Sequence, residues 1–355
     1  MQIEHEVQTA LAEILDPESG RPITQTGQIQ QAMRDKNWVQ VTVGLTTWAA
    51  ALTGEFRKRV NDSLVGAFPG AAIDLTISPM ERKPLPLGTT GIRCKTVIAV
   101  GAGKGGVGKS TIATCLALGL KRAGCAVGLM DADVYGPSIP HLLGIGGHPY
   151  EVDGKIQPIM FEGMPVMSMG FLMPPNRAVI WRGPMLHMTV TKFLKDTNWG
   201  DLDFLIVDLP PGTGDVVLTL SQTAPISGAV IVCTPQPVAL LDAIKAVAMF
   251  EQVKIPVVGL VENMSTFICP DNGKRYDIFG SGGARKYAEE AGIPFTGEVP
   301  INIQLRQRGD EGTTNANFAD PETAPFLDAI ATNLTRQLAE RAAAQPPKPS
   351  LPVLG

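Results

Sequence analysis

Residues 100–120, VGAGKGGVGKSTIATCLALGL, end a glycine-rich run with a lysine placed directly before a hydroxyl residue. Gly103, Gly108, Lys109 and Ser110 satisfy the spacing G-x-x-x-x-G-K-[ST]. In such a loop the glycines let successive backbone N–H groups turn inward around phosphate oxygens. The lysine adds a point charge at the β- and γ-phosphates, and the hydroxyl ligates Mg²⁺. The expected nucleotide contacts are therefore Gly103, Lys104, Gly105, Gly106, Val107, Gly108, Lys109, Ser110 and Thr111. Lys104 is a second cation that this chemistry does not itself require.

Further carboxylates fall where a phosphate site needs them. The stretch DFLIVDLPPGTGD is an apolar run ending in Asp208, suited to hold Mg²⁺ through water, and Gly212 follows with a backbone N–H able to sense a γ-phosphate. Asp215, just ahead of VVLTLSQ, reads as a helix N-cap. The stretch DADVYGPSIP places Asp131 and Asp133 together after another apolar run. Either can orient an attacking water, and spacing alone does not choose between them.

These residues need a sheet to position them. Short apolar runs, TVIAV (96–100), AVGLM (126–130), FLIVD (204–208), AVIVC (229–233) and VVGLVEN (257–263), alternate with helical patterns. That order implies βαβ units and a parallel sheet buried on both faces, with ligands collecting beyond the carboxyl ends of the strands. Ahead of it a smaller α/β unit is expected. Its parts are a helix from Ile3 through Leu11 to Ile14 and Leu15, stopped by DPESG; a strand alternating Val39, Val41, Val43 and Leu45; a helix with Leu52, Phe56, Val60 and Leu64; and a strand with Ile73, Leu75 and Ile77. The aperiodic, proline-containing PMERKPLPLGTTGIR marks the boundary between the two. We thus expect a domain over 1–80, a linker over 81–93, an ATPase domain over 94–344 ending in a helix from about 324, and a proline-rich tail over 345–355.

Composition narrows the function classes. A formal charge of −4 argues against a general nucleic-acid binder, which needs a basic face. The first fifteen residues carry Glu4, Glu6 and Glu13 without an apolar stretch, which is not a secretory signal, and no apolar run reaches the ~18 residues of a membrane span. Cys94, Cys115, Cys125, Cys233 and Cys269 are too few and too scattered for a disulfide framework. A cytoplasmic protein is expected.

Taken together, GKGGVGKS, DADVYGPSIP, DLPPGTGD and ENMS resemble the Mrp/ApbC branch of the MinD-like ATPases, the iron–sulfur cluster carriers, over residues 94–335. The resemblance implies a dimeric P-loop ATPase using ATP and Mg²⁺, in which Lys104 reaches across to the partner's phosphates. A cation supplied in trans stabilises transition-state charge as an arginine finger does. It further implies that Asp133 orients water, that Asp208 and Ser110 serve Mg²⁺, that Asn263 contacts adenine, and that apo iron–sulfur proteins or assembly factors are the clients. The front unit, with ILDPESG and VQVTVGLTT, resembles the PaaD-like iron–sulfur-assembly domain. That domain commonly has a cysteine after its Leu-Thr-Thr, where this chain has Ala49 to Ala51, so docking of a partner is its expected role.

The cargo site departs from the family pattern. Mrp-type proteins carry C-x-x-C after ENMS, two thiolates per subunit, so that the dimer bridges a [4Fe–4S] cluster. Here Cys269 is present and Asn272 occupies the second position. Asp271 or Cys94 are the other candidates for ligation. The leading expectation is a cluster carrier, and its alternative is a cluster-free, ATP-dependent adaptor of the same fold. A membrane-positioning ATPase is disfavoured because AAAQPPKPSLPVLG cannot form an amphipathic helix.

Overall fold

In the computed structural model of the chain, residues 2–88, 90–134, 136–172, 183–212, 214–223 and 225–345 are described. They divide into two compact units, one of residues 1–82 with 335–355, the other of residues 83–334.

The first unit contains α1 (Gln2–Ala10), β1 (Ile29–Asp35), β2 (Trp38–Thr46), α2 (Thr53–Ala67) and β3 (Ala72–Met80). Strand β2 is central, antiparallel to β1 and parallel to β3. The alternation of Val39, Val41, Val43 and Leu45 buries that row, against which α2 sets Phe56, Val60 and Leu64. The expected first helix is shorter than its apolar spacing implies. It ends at Ala10, and Leu11 and Ile14 stay buried in the turns that follow. The Asp16 carboxylate then fastens DPESG, accepting from Ser19 Oγ (2.5 Å), Glu18 N (3.3 Å) and Arg82 (2.9 Å).

The second unit begins with β4 (Pro86–Leu87) and β5 (Ile92–Gly101), which pair antiparallel. The aperiodic boundary segment is therefore partly strand. There follow α3 (Lys109–Ala123), β6 (Val127–Asp131), α4 (Ile139–Leu143), β7 (Tyr150–Val152), β8 (Lys155–Gln157), β9 (Ile159–Phe161) and β10 (Met164–Ser168). After the segment outside the described residues come α5 (Gly183–Asp196), β11 (Leu202–Asp208), α6 (Gly214–Thr223), β12 (Gly228–Cys233) and α7 (Pro237–Gln252). The chain closes with β13 (Val257–Ile268), β14 (Arg275–Tyr276), α8 (Gly283–Ala291), β15 (Phe295–Ile301), α9 (Ile303–Asp310) and α10 (Ala324–Ala344). The expected proline-rich tail, from 346 on, lies outside the described residues.

Among the described residues the main sheet has the order β14-β13-β12-β5-β11-β6-β10-β9, with β15 also on β13. Strands β13, β12, β5, β11, β6 and β10 run parallel, while β14 and β9 are antiparallel additions. Strands β6, β10, β11 and β12 are buried along their whole length, as parallel strands covered on both faces must be. The fold is that of a P-loop NTPase with a mostly parallel sheet between helices, preceded by a small α/β unit. Strand β5 sits centrally, with β12 on one side and β11 on the other, and the glycine-rich loop emerges from its carboxyl end, the place where doubly wound sheets bind ligands.

Candidate functional site at the phosphate loop and the cysteine hairpin

Two close approaches explain why glycines line the loop. A Cβ on Gly103 would stand 2.0 Å from the Asp242 carbonyl oxygen in α7, so the loop lies directly on that helix's backbone. Gly108, immediately before α3, holds φ at +80°, and a Cβ there would stand 2.2 Å from Asn263 Nδ2. Helix α3 therefore opens with its free N–H groups at the loop, the arrangement that favours an anion. Ser110 and Thr111 are half-buried in its first turn.

Beneath the loop, three strand ends bring the charges together. Lys109 is 6% exposed, and its Nζ lies 2.5 Å from Asp208 Oδ1, 3.2 Å from Ser110 Oγ and 3.9 Å from Asp133 Oδ2. Asp208 is fully buried, and burial raises its carboxyl above the usual range against the pull of Lys109. Its second oxygen, Oδ2, is buried with no hydrogen-bond partner among the described residues. An unsatisfied carboxylate oxygen beside a serine hydroxyl, under a phosphate loop, is the donor set that a hydrated Mg²⁺ completes. The residues present fit that ion.

Geometry separates the two aspartates that spacing leaves equivalent. Asp133 turns its Oδ2 toward Lys109 and accepts Gly136 N on Oδ1 at 3.2 Å. Asp131 is fully buried and engaged with its own loop, accepting Asp133 N at 3.1 Å and Ile139 N at 3.3 Å. Burial, with the charge of Asp208 added, pushes its carboxyl up to about 8. Gly212 donates its N–H to the Ala102 carbonyl at 3.1 Å, so this amide already faces the phosphate loop. Asp215 is the second residue of α6. Lys104 is half-buried and makes no hydrogen bond or ion pair among the described residues.

Asn263 makes a contact its sequence position does not suggest. Its Nδ2 donates to the Val107 carbonyl at 2.8 Å, bridging 156 residues of sequence to hold the phosphate loop. The next residue, Met264, has φ +56°, and the β13–β15 register jumps between Asn263 and Phe267. A bulge thus re-aims the strand beside the loop. Sequence reasoning also missed Glu262, fully buried, whose carboxylate accepts Gly282 N (3.0 Å) and Ala284 N (2.8 Å) at the start of α8. The signal was a charged residue closing an apolar strand.

Past that bulge β13 runs straight into the cysteine hairpin. Cys269 N donates to the Lys274 carbonyl (2.9 Å) and Gly273 N to the Cys269 carbonyl (2.8 Å). Asn272, which stands where the family pattern has its second cysteine, accepts Lys274 N on Oδ1 at 2.9 Å and fixes the turn. Cys269 is half-buried and Asp271 exposed, whereas Cys94, Cys115, Cys125 and Cys233 are buried. Burial pushes the thiols of Cys94, Cys115 and Cys233 up to about 12. Cys94 donates its Sγ–H to the Thr96 carbonyl within β5. No group of three or more metal-ligating side chains occurs among the described residues. No helix there is long and apolar enough to cross a membrane.

Residues 93–335 match the family model described as NUBPL iron-transfer P-loop NTPase, and residues 4–74 match one for an iron–sulfur cluster assembly protein. An iron–sulfur cluster carrier protein of Deinococcus radiodurans is 46% identical over 350 residues, covering 97% of this chain and 98% of its own. A nucleotide-binding protein from Archaeoglobus fulgidus, solved in complex with ADP, has 41% identity and a TM-score of 0.57, covering 64% of this chain and 90% of its own. The cell division ATPase MinD of Pyrococcus furiosus, at 20% identity and a TM-score of 0.50 over 69% of this chain and 97% of its own, shares the fold.

Proposed function

This chain belongs to the NUBPL iron-transfer P-loop NTPase family, and from that premise we propose how its residues couple ATP to the carriage of iron–sulfur clusters. It is an ATP-dependent cluster carrier that serves apo iron–sulfur proteins. The supporting observation is that β13 holds the phosphate loop through Asn263 and leads, past its bulge, into the hairpin of Cys269.

When ATP enters, Lys109 exchanges Asp208 for the β- and γ-phosphates, and the N–H groups of the loop surround the phosphate oxygens. Ser110 and Asp208 would hold a hydrated Mg²⁺, which would supply positive charge against the phosphates. Freed from Lys109, Asp133 orients the attacking water, and the Gly212 amide faces the γ-phosphate. Lys104, without a partner of its own among the described residues, extends to the nucleotide of a second copy. Hydrolysis is then slow in a lone chain and tied to a homodimer.

The cluster is cargo. Two copies of Cys269, one from each hairpin, supply two thiolates at the dimer axis. Asn272 shapes the turn and ligates nothing, so the remaining positions of a [4Fe–4S] cluster stay open to Asp271 or to the thiols of a client, which suits a cluster that must be handed on. We assign residues 1–80 to client docking, residues 94–344 to the ATPase cycle, and the cytoplasm as the compartment. The same Asn272 turn favours the second reading, a cluster-free adaptor driven by the same cycle.

Anaerobic reconstitution with iron and sulfide separates the two. The carrier reading expects a cluster absorption band and bound iron in the wild type, both lost in Cys269→Ala. Iron-free protein in both cases favours the adaptor.

A further inference from the structure

Ser168 is fully buried at the carboxyl end of β10. Strand register sets it beside Asp131 of β6, which is itself beside Asp208 of β11. Its hydroxyl donates to Asp131 Oδ2 at 2.9 Å and accepts Gly170 N at 3.0 Å. The same Asp131 carboxylate accepts Asp133 N on Oδ1 and Ile139 N on Oδ2, so a single group closes both ends of the loop over 132–138. Without the hydroxyl, Oδ2 keeps only the longer bond from Ile139 N, 3.3 Å. The carboxylate is then held less firmly, and with it the backbone of Asp133 that its Oδ1 anchors.

We propose that Ser168 is a positioning residue for ATP hydrolysis, fixing the Asp131 carboxylate so that Asp133 keeps its place at the phosphate loop. The inference rests on the reading of Asp133 as the residue that orients water. Ser168 touches neither that water nor Lys109 in this arrangement; it acts through two hydrogen bonds and one peptide unit. A polar side chain at full burial is itself a cost unless its hydroxyl is used, and here both its donor and acceptor functions are.

The test uses the full chain with Ser168→Ala, Asp133→Asn and the double variant, recording kcat and KM for ATP, affinity for a fluorescent ATP analogue, and the melting midpoint. Ser168→Ala is expected to lower kcat by ~10- to 100-fold, the scale of an ångström-sized misplacement, while KM and affinity hold within about twofold. In the Asp133→Asn background the same substitution is expected to change kcat no further. Ser168→Cys, similar in volume with a weak S–H donor, falls between wild type and alanine and carries the test if the alanine variant melts too low. Wild-type kcat in Ser168→Ala, or an equal fall in both backgrounds, overturns the proposal. Full turnover in Asp133→Asn instead overturns the reading of Asp133 on which it rests.

Discussion

Replacing Lys104 by alanine removes a cation that has no partner among the described residues of its own chain. Folding should hardly register the change, because a half-buried side chain without internal bonds contributes within about 0.5 kcal/mol. ATP affinity should also change little, since Lys109 and the loop amides remain. Turnover should collapse. A cation brought to the transition state by a partner is worth ~10³ to 10⁵ in rate. That corresponds to about 4 to 7 kcal/mol of barrier. The assay is steady-state phosphate release at several protein concentrations, with affinity from nucleotide titration. Mixing supplies the sharper result. In a symmetric dimer each site would combine its own Asp133 with the partner's Lys104, so a mixed pair of Lys104→Ala and Asp133→Asn chains contains one intact site. Random mixing of two inactive variants should therefore restore roughly a quarter of wild-type turnover. No restoration on mixing, or a Lys104→Ala chain that turns over normally alone, refutes the trans role.

Two further outcomes follow from the charges and thiols. Lys109→Ala leaves the buried Asp208 carboxylate without its ammonium partner and should cost about 3 to 5 kcal/mol of stability at neutral pH, in contrast to Lys104→Ala. Because burial already raises Asp208 and loss of Lys109 raises it further, that carboxyl takes up a proton as pH falls, so the gap in melting midpoint should narrow toward acid. Alkylation of the native protein near pH 8 should modify Cys269 quickly, while Cys94, Cys115 and Cys233, buried and with thiols near 12, stay intact until the chain unfolds; mass spectrometry of peptides reads this directly.

Much of the sheet was legible because strands buried on both faces must be apolar throughout, and β5, β6, β11, β12 and β13 announce themselves in that way. Strand β1, IQQAMRD, did not, since an edge strand half in water carries no such pattern. The short strands β7 to β9 and the two-residue β14 were invisible for a related reason: their pairing is set by neighbours, not by their own periodicity. At the site, the phosphate loop was fixed by local spacing alone. Asp131 and Asp133 were inseparable by spacing because they stand two residues apart at the end of one strand; in the fold Asp131 is tied to its own loop while Asp133 turns toward Lys109. The bond from Asn263 to the phosphate loop was not legible because its partner, Val107, lies 156 residues away. Asn272 read as a defect, and the fold shows it as a turn residue with a use of its own.

The central claim is that two chains close over bound nucleotide. It is tested most directly by the solution mass of the Asp133→Asn chain, slowed in hydrolysis, with and without saturating MgATP. The account predicts that MgATP gives a particle of twice the 37.7 kDa chain mass, and that adding Lys104→Ala weakens it. A chain that binds MgATP and remains at 37.7 kDa contradicts it.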